Sequence, residues 1–402
     1  MNGTDACLKC TICVSACPVY RKDTEFPGPK ALGPEWERRR AAGDLIVMDY
    51  VEDCTFCQLC ELACPVGVPI AHLIAEQKDR ARLTQPAAIR LRDAILTHPE
   101  WVARAPRLSI TPRFVSRMMR LSTTSRRPQP RFSTAEVSPS ASVIHGRVGL
   151  FVDCFDRGFD QETLSASTAL LNAWGFEVST VPKSSFCCGA AAYASGRVEQ
   201  AKRQAEAMRA AIIRDLPNEV TALITMNATC DGTMDQEWAK YFGLEPLPIP
   251  IMPFHEFAVS FAPEWFWDEL RSNEEFKREG GRPRVWTHTT CRGQRRGDGG
   301  LFVLARRAGV SEVIPLDLEC CGAAGSYAFK TEHETTAHRM GSAAKDQINH
   351  PMGELWVDSG TCAVHLDQIL GIPARHPAYW LYQRWHQASA FKGIADKPSI
   401  EG

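Results

Sequence analysis

The chain has 402 residues, with 46 Lys and Arg against 47 Asp and Glu and a formal net charge of −1, a balance that speaks against nucleic acid as a general partner. Hydrophobic residues at 44% and charged residues at 23% fit a globular chain of two to four domains. No apolar run reaches the roughly 18 residues of a membrane span, and a cysteine at position 7 leaves no room for the apolar core of a signal peptide. The expectation is therefore a cytoplasmic chain with reduced thiols.

Sixteen cysteines fall into four blocks. The first is Cys7-x2-Cys10-x2-Cys13-x3-Cys17-Pro18, and Cys54-x2-Cys57-x2-Cys60-x3-Cys64-Pro65 repeats it. This is the ligand run of bacterial ferredoxins, in which three cysteines wrap one cubane and the fourth crosses to the other. The crossover assigns Cys7, Cys10, Cys13 and Cys64 to one [4Fe–4S] cluster, and Cys54, Cys57, Cys60 and Cys17 to a second. Zinc sites usually take two close pairs, so this spacing suits them poorly. Ligand runs this tight also make poor disulfide frameworks. Residues 1–85 thus read as a dicluster ferredoxin-type domain of helices and loops.

Between the runs, Phe26-Pro27-Gly28-Pro29-Lys30-Ala31-Leu32-Gly33-Pro34 is rich in turn residues, and Glu35 to Ala42 has a helical, charged pattern. The insert either packs over the clusters as a spacer or is the element it resembles in the dicluster subunits of membrane-associated respiratory dehydrogenases, where a Gly-Pro element and an Arg-bearing helix separate the runs. Residues 86–146 read as a basic linker. From Trp101 to Thr134 it carries eight arginines and neither Asp nor Glu. Within it, 111–122 predicts a basic amphipathic helix capped by Thr111, with Phe114, Val115, Met118, Met119 and Leu121 opposite Arg113, Arg117 and Arg120. Such a helix can lie on an anionic membrane surface, pack on a partner subunit, or remain a solvated linker.

The last two blocks are Cys154…Cys187-Cys188-Gly189…Cys230 and Cys291…Cys320-Cys321-Gly322…Cys362. Their offsets are 137, 133 and 132 residues, which marks an internal duplication over 147–282 and 283–402. Each copy predicts strand, helix, strand, helix, strand: Val148–Val152, Gln161–Trp174, Phe176–Val181, Val198–Ile213 and Thr221–Met226 in the first. The second gives Val285–Thr287, Gly300–Ala308, Val313–Leu318, Glu332–Ile348 and Glu354–Val357. This order predicts an α+β multi-domain chain whose two α/β modules hold parallel sheets, with every cysteine just past a strand end. Trp265-Phe266-Trp267 and Tyr379-Trp380…Tyr382…Trp385 read as core aromatics or as interfacial anchors.

Two ferredoxin runs followed by two Cys-Cys-Gly modules resemble the cysteine-rich iron–sulfur subunits related to heterodisulfide reductase, and within them those of anaerobic glycerol-3-phosphate dehydrogenases. The likeness rests on Cys7–Cys13, Ala16-Cys17-Pro18-Val19, Pro27–Lys30 with Gly33-Pro34, Cys321–Lys330, Thr229-Cys230 and Thr361-Cys362. It implies an electron-transfer subunit that takes electrons from an FAD-containing dehydrogenase subunit and delivers them to a quinone, menaquinone for this type. The subunit would be peripheral on the inner face of the cell membrane, and one or two further clusters would sit on Cys154, Cys187, Cys188, Cys230, Cys291, Cys320, Cys321 and Cys362. The chain departs from the heterodisulfide reductase pattern where each module should end in C-x-x-C, because Asn227 and Ser359 replace the earlier cysteine. Oxygen or histidine ligation could make up the difference. His288 and His365 are the histidine candidates, as ligands or as donors and proton relays behind the thiolates. Two rival readings are the iron–sulfur subunit of a glycolate or D-lactate oxidase and a disulfide reductase. A scaffold whose modules have lost metal is a third. The chain lacks a G-x-G-x-x-G dinucleotide fingerprint at a strand–helix turn, which leaves oxidation of the organic donor to a partner.

Overall fold

A computed structural model of the chain describes residues 6–44, 48–98, 145–184, 186–272, 284–297, 299–348 and 353–395. The two ferredoxin runs turn on the same positions. Lys9 (φ 58°) and Thr11 (67°) take left-handed backbone in the first run, Phe56 (58°) and Gln58 (64°) in the second. A one-turn helix follows each, Ile12–Ser15 and Leu59–Leu62. Left-handed residues of this kind occur in the nests whose backbone N–H groups bind anions and iron–sulfur clusters. None of the four residues is glycine, so each holds a conformation that costs about 1 kcal/mol or more.

Helix Ile70–Arg82 closes this domain, burying Ile70, Ala71, Leu73, Ile74 and Ala75. The insert packs on it through a π-helical turn, Ala31–Glu35, that runs into helix Trp36–Ala41. Gly33 is needed there, since a Cβ would stand 2.9 Å from Ile70 Cγ2. Gln77 Nε2 donates to Leu32 O (2.9 Å) and fixes the insert against the helix.

The first module carries β1 (Gly146–Phe151), β2 (Phe176–Val181), β3 (Val220–Thr225) and β4 (Ile251–Pro253), all parallel in the order β2-β1-β3-β4. The second repeats this as β6-β5-β7-β8, with β5 (Arg284–His288), β6 (Glu312–Pro315), β7 (Glu354–Val357) and β8 (Ala374–Arg375). The sequence pattern gives three strands per module. The fourth is only three and two residues long, too short to show alternation. A second difference concerns Glu332–Ile348. One amphipathic stretch is expected there, but the chain breaks into a tight turn Thr331–His333, helix Glu334–Gly341 and a 3₁₀ stretch Ser342–Gln347. At Gly341 a Cβ would come within 2.7 Å of Ile369 Cδ1, and this close approach coincides with the tightening.

The modules are related by an approximate two-fold and share one core. Helix Phe254–Phe261 of the first packs on Gly300–Arg307 of the second, and Pro377–Ala395 of the second packs on Gln161–Ala173 of the first. Trp174, Phe254, Phe266 and Trp267 meet Val285, Leu304, Trp356 and Leu381 in that core. Of the two aromatic stretches Phe266, Trp267 and Tyr382 are interior, Trp380 and Trp385 pack half-buried against that core, and Trp265 stays 44% exposed. Part of the expected linker is ordered as helix Ala87–Leu96. It buries Arg92 and Asp93 in an ion-pair network with Lys330 and Glu332 of the second module. The amphipathic helix expected at 111–122 lies outside the described residues.

Candidate metal centres

The thiols of Cys7, Cys64 and Cys10 are the electrostatic neighbours of Cys13. Cys57, Cys54 and Cys17 surround Cys60 in the same way. Each group draws three cysteines from one run and one from the other, so the structure brings together the two sets that the crossover rule assigns. Around the first set a cavity of about 340 Å³, including solvent-facing space, is ringed by Cys7, Cys10, Cys13 and Cys64 with Leu8 and Val66. Four thiols and open space at their centre fit a cubane. Burial raises the thiols of Cys13, Cys17 and Cys60, and with the nearby Cys291 it pushes Cys57 up to about 12. Loading iron must therefore displace protons.

In each module the cysteines leave the C-terminal edge of the sheet, as in other open parallel sheets that bind ligands there. Cys154, Cys187, Cys188 and Cys230 touch through their sulfurs, with Cys188 Sγ 3.4 Å from Cys230 Sγ. Cys291, Cys320, Cys321 and Cys362 do the same. Hydrogen bonds from Cys187 and Cys230 hold Cys188 below the usual thiol range. The glycine after each pair is required twice over. Gly189 (φ 97°) and Gly322 (φ 86°) are left-handed, and a Cβ would stand 2.7 Å from Ala201 O and 2.6 Å from Ala337 O. The helix that follows thus packs directly onto the cysteine turn.

A buried carboxylate lies beside each module set. Asp153 Oδ2 is 4.0 Å from Cys230 Sγ, and burial raises Asp153 to about 6. Asp358 acts electrostatically on Cys291 and Cys362. The two positions that replace a cysteine meet on the approximate two-fold, where Ser359 Oγ donates to Asn227 Oδ1 (3.0 Å) and Ala228 N donates to Asp358 O (2.9 Å). Asn227 Oδ1 also accepts from Thr229 N (3.1 Å), so this oxygen serves the module joint. His365 Nε2 faces Ala337 O at 3.3 Å, and burial lowers its pKa to about 4. His288, fully buried at the end of β5, is lowered to about 4 by burial and has no hydrogen-bond partner on either ring nitrogen among the described residues. Both are neutral at pH 7.

Contacts between the parts are what sequence reasoning misses. Gln58, inside the second run, donates to Glu237 Oε1 of the first module (2.5 Å). Tyr327 Oη donates to Asp53 O (2.9 Å) while its ring stacks on His333 at 4.1 Å. Tyr327 and Lys330 belong to the motif after the second Cys-Cys-Gly, so that motif forms an interface with the dicluster domain. Cys57 acts electrostatically on Cys320 and itself feels Cys291, and these cysteines share one buried cluster with Cys60.

Residues 3–68 match the 4Fe-4S dicluster domain, and residues 148–235 and 285–367 each match the cysteine-rich domain. The chain is therefore an iron–sulfur protein made of a dicluster domain, which implies two [4Fe–4S] clusters, followed by two cysteine-rich domains. Over 95% of its length it is 27% identical to one of the subunits of anaerobic glycerol-3-phosphate dehydrogenase of Escherichia coli (strain K12), spanning 99% of that protein. It is 25% identical to one of the subunits of fumarate reductase (CoM/CoB) of Methanothermobacter marburgensis over 62% of this chain and 46% of the relative. The fumarate reductase iron-sulfur subunit of Mycobacterium tuberculosis is 40% identical over 18% of this chain and 33% of its own. No solved structure matches. Likeness to subunits of larger complexes implies protein partners. Among the described residues no helix is long and apolar enough to cross a membrane.

Proposed function

We propose that this chain is the electron-transfer subunit of a flavin-dependent dehydrogenase complex that feeds the quinone pool from the cytoplasmic face of the membrane, with glycerol 3-phosphate as the donor oxidised by its flavoprotein partner. All sixteen cysteines are ligands in this reading, eight to the two cubanes and four to a further iron–sulfur centre in each module. Such clusters supply one-electron uptake and release. The protein's part is to fix their order, keep water from them and set their charge environment.

The observation that carries the reading is that Cys57 of the second ferredoxin set shares one buried cluster with Cys320, with Cys291 packed against it, and that these thiols act electrostatically on one another. It supports a continuous line of centres, with the first ferredoxin set at the exposed end, where Cys10 is open to solvent. Similarity to a glycerol-3-phosphate dehydrogenase component over nearly the whole chain favours that donor. The test is capture of the native complex, followed by assay with glycerol 3-phosphate, glycolate and D-lactate against a soluble quinone analogue. Reduction of the quinone with glycerol 3-phosphate alone is expected. Turnover only with glycolate or D-lactate would replace this donor assignment.

A further inference from the structure

The helical turn after Cys291 carries three arginines, and all three face the segment of the first module that follows Cys230. Arg296 pairs with Asp231 at 3.1 Å and Arg295 Nη2 donates to Gln236 Oε1 at 2.5 Å. Arg292 pairs with Glu237, with side chains 6% and 0% exposed respectively. Its stem lies 3.7 Å from where a Cβ on Gly232 would stand, two residues past Cys230. The guanidinium acts electrostatically on Cys188 of the first module and on Cys291 of its own. Glu237 is held on its other sides by Thr233 Oγ1 (3.0 Å) and by Gln58 of the second ferredoxin run. Two buried cations share Glu237, since Arg295, with its side chain 8% exposed, lies 3.6 Å from the same carboxylate oxygen, and of the two Arg292 is the one that acts electrostatically on Cys188 and on Cys291.

The duplication makes this placement informative. The position equivalent to Arg292 in the first module is Phe155, whose ring packs onto Gly360 and Val364 instead. At this position, then, the first module has no cation of its own, and the Arg292 guanidinium serves the cysteine sets on both sides.

We propose that Arg292 is a shared counter-charge for the cysteine sets of both modules, positioned by Glu237 and Gln58, and that it raises the reduction potentials of both module centres. This rests on the reading that the modules hold iron–sulfur centres. Each centre gains one electron, and so one negative charge, when reduced, with no bond made or broken. A fixed cation in a low-dielectric site favours that reduced state. Arginine suits the role because it stays protonated when buried. Its partner carboxylate keeps it from being an uncompensated buried charge.

The experiment is an EPR-monitored reductive titration of the anaerobically purified full chain, with iron counted on the same samples. Arg292→Gln should move both module midpoints to lower potential, by more than that of the exposed ferredoxin centre. Arg292→Lys should restore them most of the way, and Glu237→Gln, which removes a negative charge, should move them up. A packing role would give no such reversal of sign. If Arg292→Gln sheds iron, the lysine and Glu237→Gln variants still decide the matter. Unchanged midpoints, shifts in one module only, or shifts of the same sign in Arg292→Gln and Glu237→Gln would overturn the proposal while leaving the module centres in place. A wild-type chain with only about eight irons, the content of two cubanes, would remove the module centres and this proposal with them.

Discussion

Glycine, histidine and cysteine each occupy positions here that no other residue could fill at equal cost. Gly189 and Gly322 are the sharpest case. Alanine at either needs a left-handed backbone, at about 1–2 kcal/mol, and a methyl group pressed into a helix carbonyl, at about 1–3 kcal/mol more. Each substitution should cost about 3 kcal/mol in denaturant unfolding. Gly243 (φ 65°), with nothing within 4 Å of a Cβ, should lose only about 1 kcal/mol. Equal losses at all three would remove the close-approach argument. His376 gives a pH prediction. Burial lowers it to about 3, so the unfolded state takes up a proton near pH 6.5 that the folded state refuses. Stability is full above the unfolded value and falls as pH drops below it, by up to about 2 kcal/mol between pH 7 and 5. His376→Asn, which can keep the hydrogen bond from Ala378 N, should reduce the slope there by about one proton, leaving the share of His288 and His365. A slope unchanged in the variant would place the acid sensitivity elsewhere. At this scale the two ferredoxin runs are legible, because their ligand spacing is local. The left-handed Lys9, Thr11, Phe56 and Gln58 were not, since nothing in their composition marks such a backbone. Only the matched spacing of the two runs hinted that whatever one did the other would repeat.

At the scale of elements, periodicity located the three main strands and first helix of each module because each buries one face against a common core. It missed β4 and β8, which pair by backbone alone over a few residues, and it overran Glu332–Ile348, where a close backbone approach at Gly341 coincides with a break in the helix. It also takes Ala87–Leu96 into the basic linker, since the partners that bury Arg92 and Asp93 lie more than 200 residues away in the second module. That network predicts a measurable effect. Lys330→Ala leaves Asp93 with one fewer cation in a buried site and should cost about 3 kcal/mol. It should also raise hydrogen exchange in Ala87–Leu96 before the sheets respond. Unaltered exchange there would mean the helix is held by something other than these charges.

The whole molecule brings the second ferredoxin set and cysteines of the second module into one buried cluster that no single domain contains. The duplication is legible in three similar offsets, but the approximate two-fold that relates the copies is not. How the parts meet is not legible either, because Gln58 with Glu237, Tyr327 with Asp53 and Arg292 between the modules are contacts across 179, 274 and 55 residues of chain. Membrane attachment belongs to this scale too. If 111–122 lies on an anionic surface, Arg113, Arg117 and Arg120 each changed to Glu should abolish sedimentation with anionic liposomes, and undiminished binding would contradict that attachment. The account as a whole turns on whether the second ferredoxin centre feeds the modules. Its most direct measurement is rapid-freeze EPR of the anaerobic holoprotein after mixing with a low-potential reduced partner that docks at the exposed end. The account predicts that the module centres are reduced in the wild type and stay oxidised on the same timescale when Cys60→Ala removes the centre between. Equally fast reduction of the module centres in both proteins would contradict it.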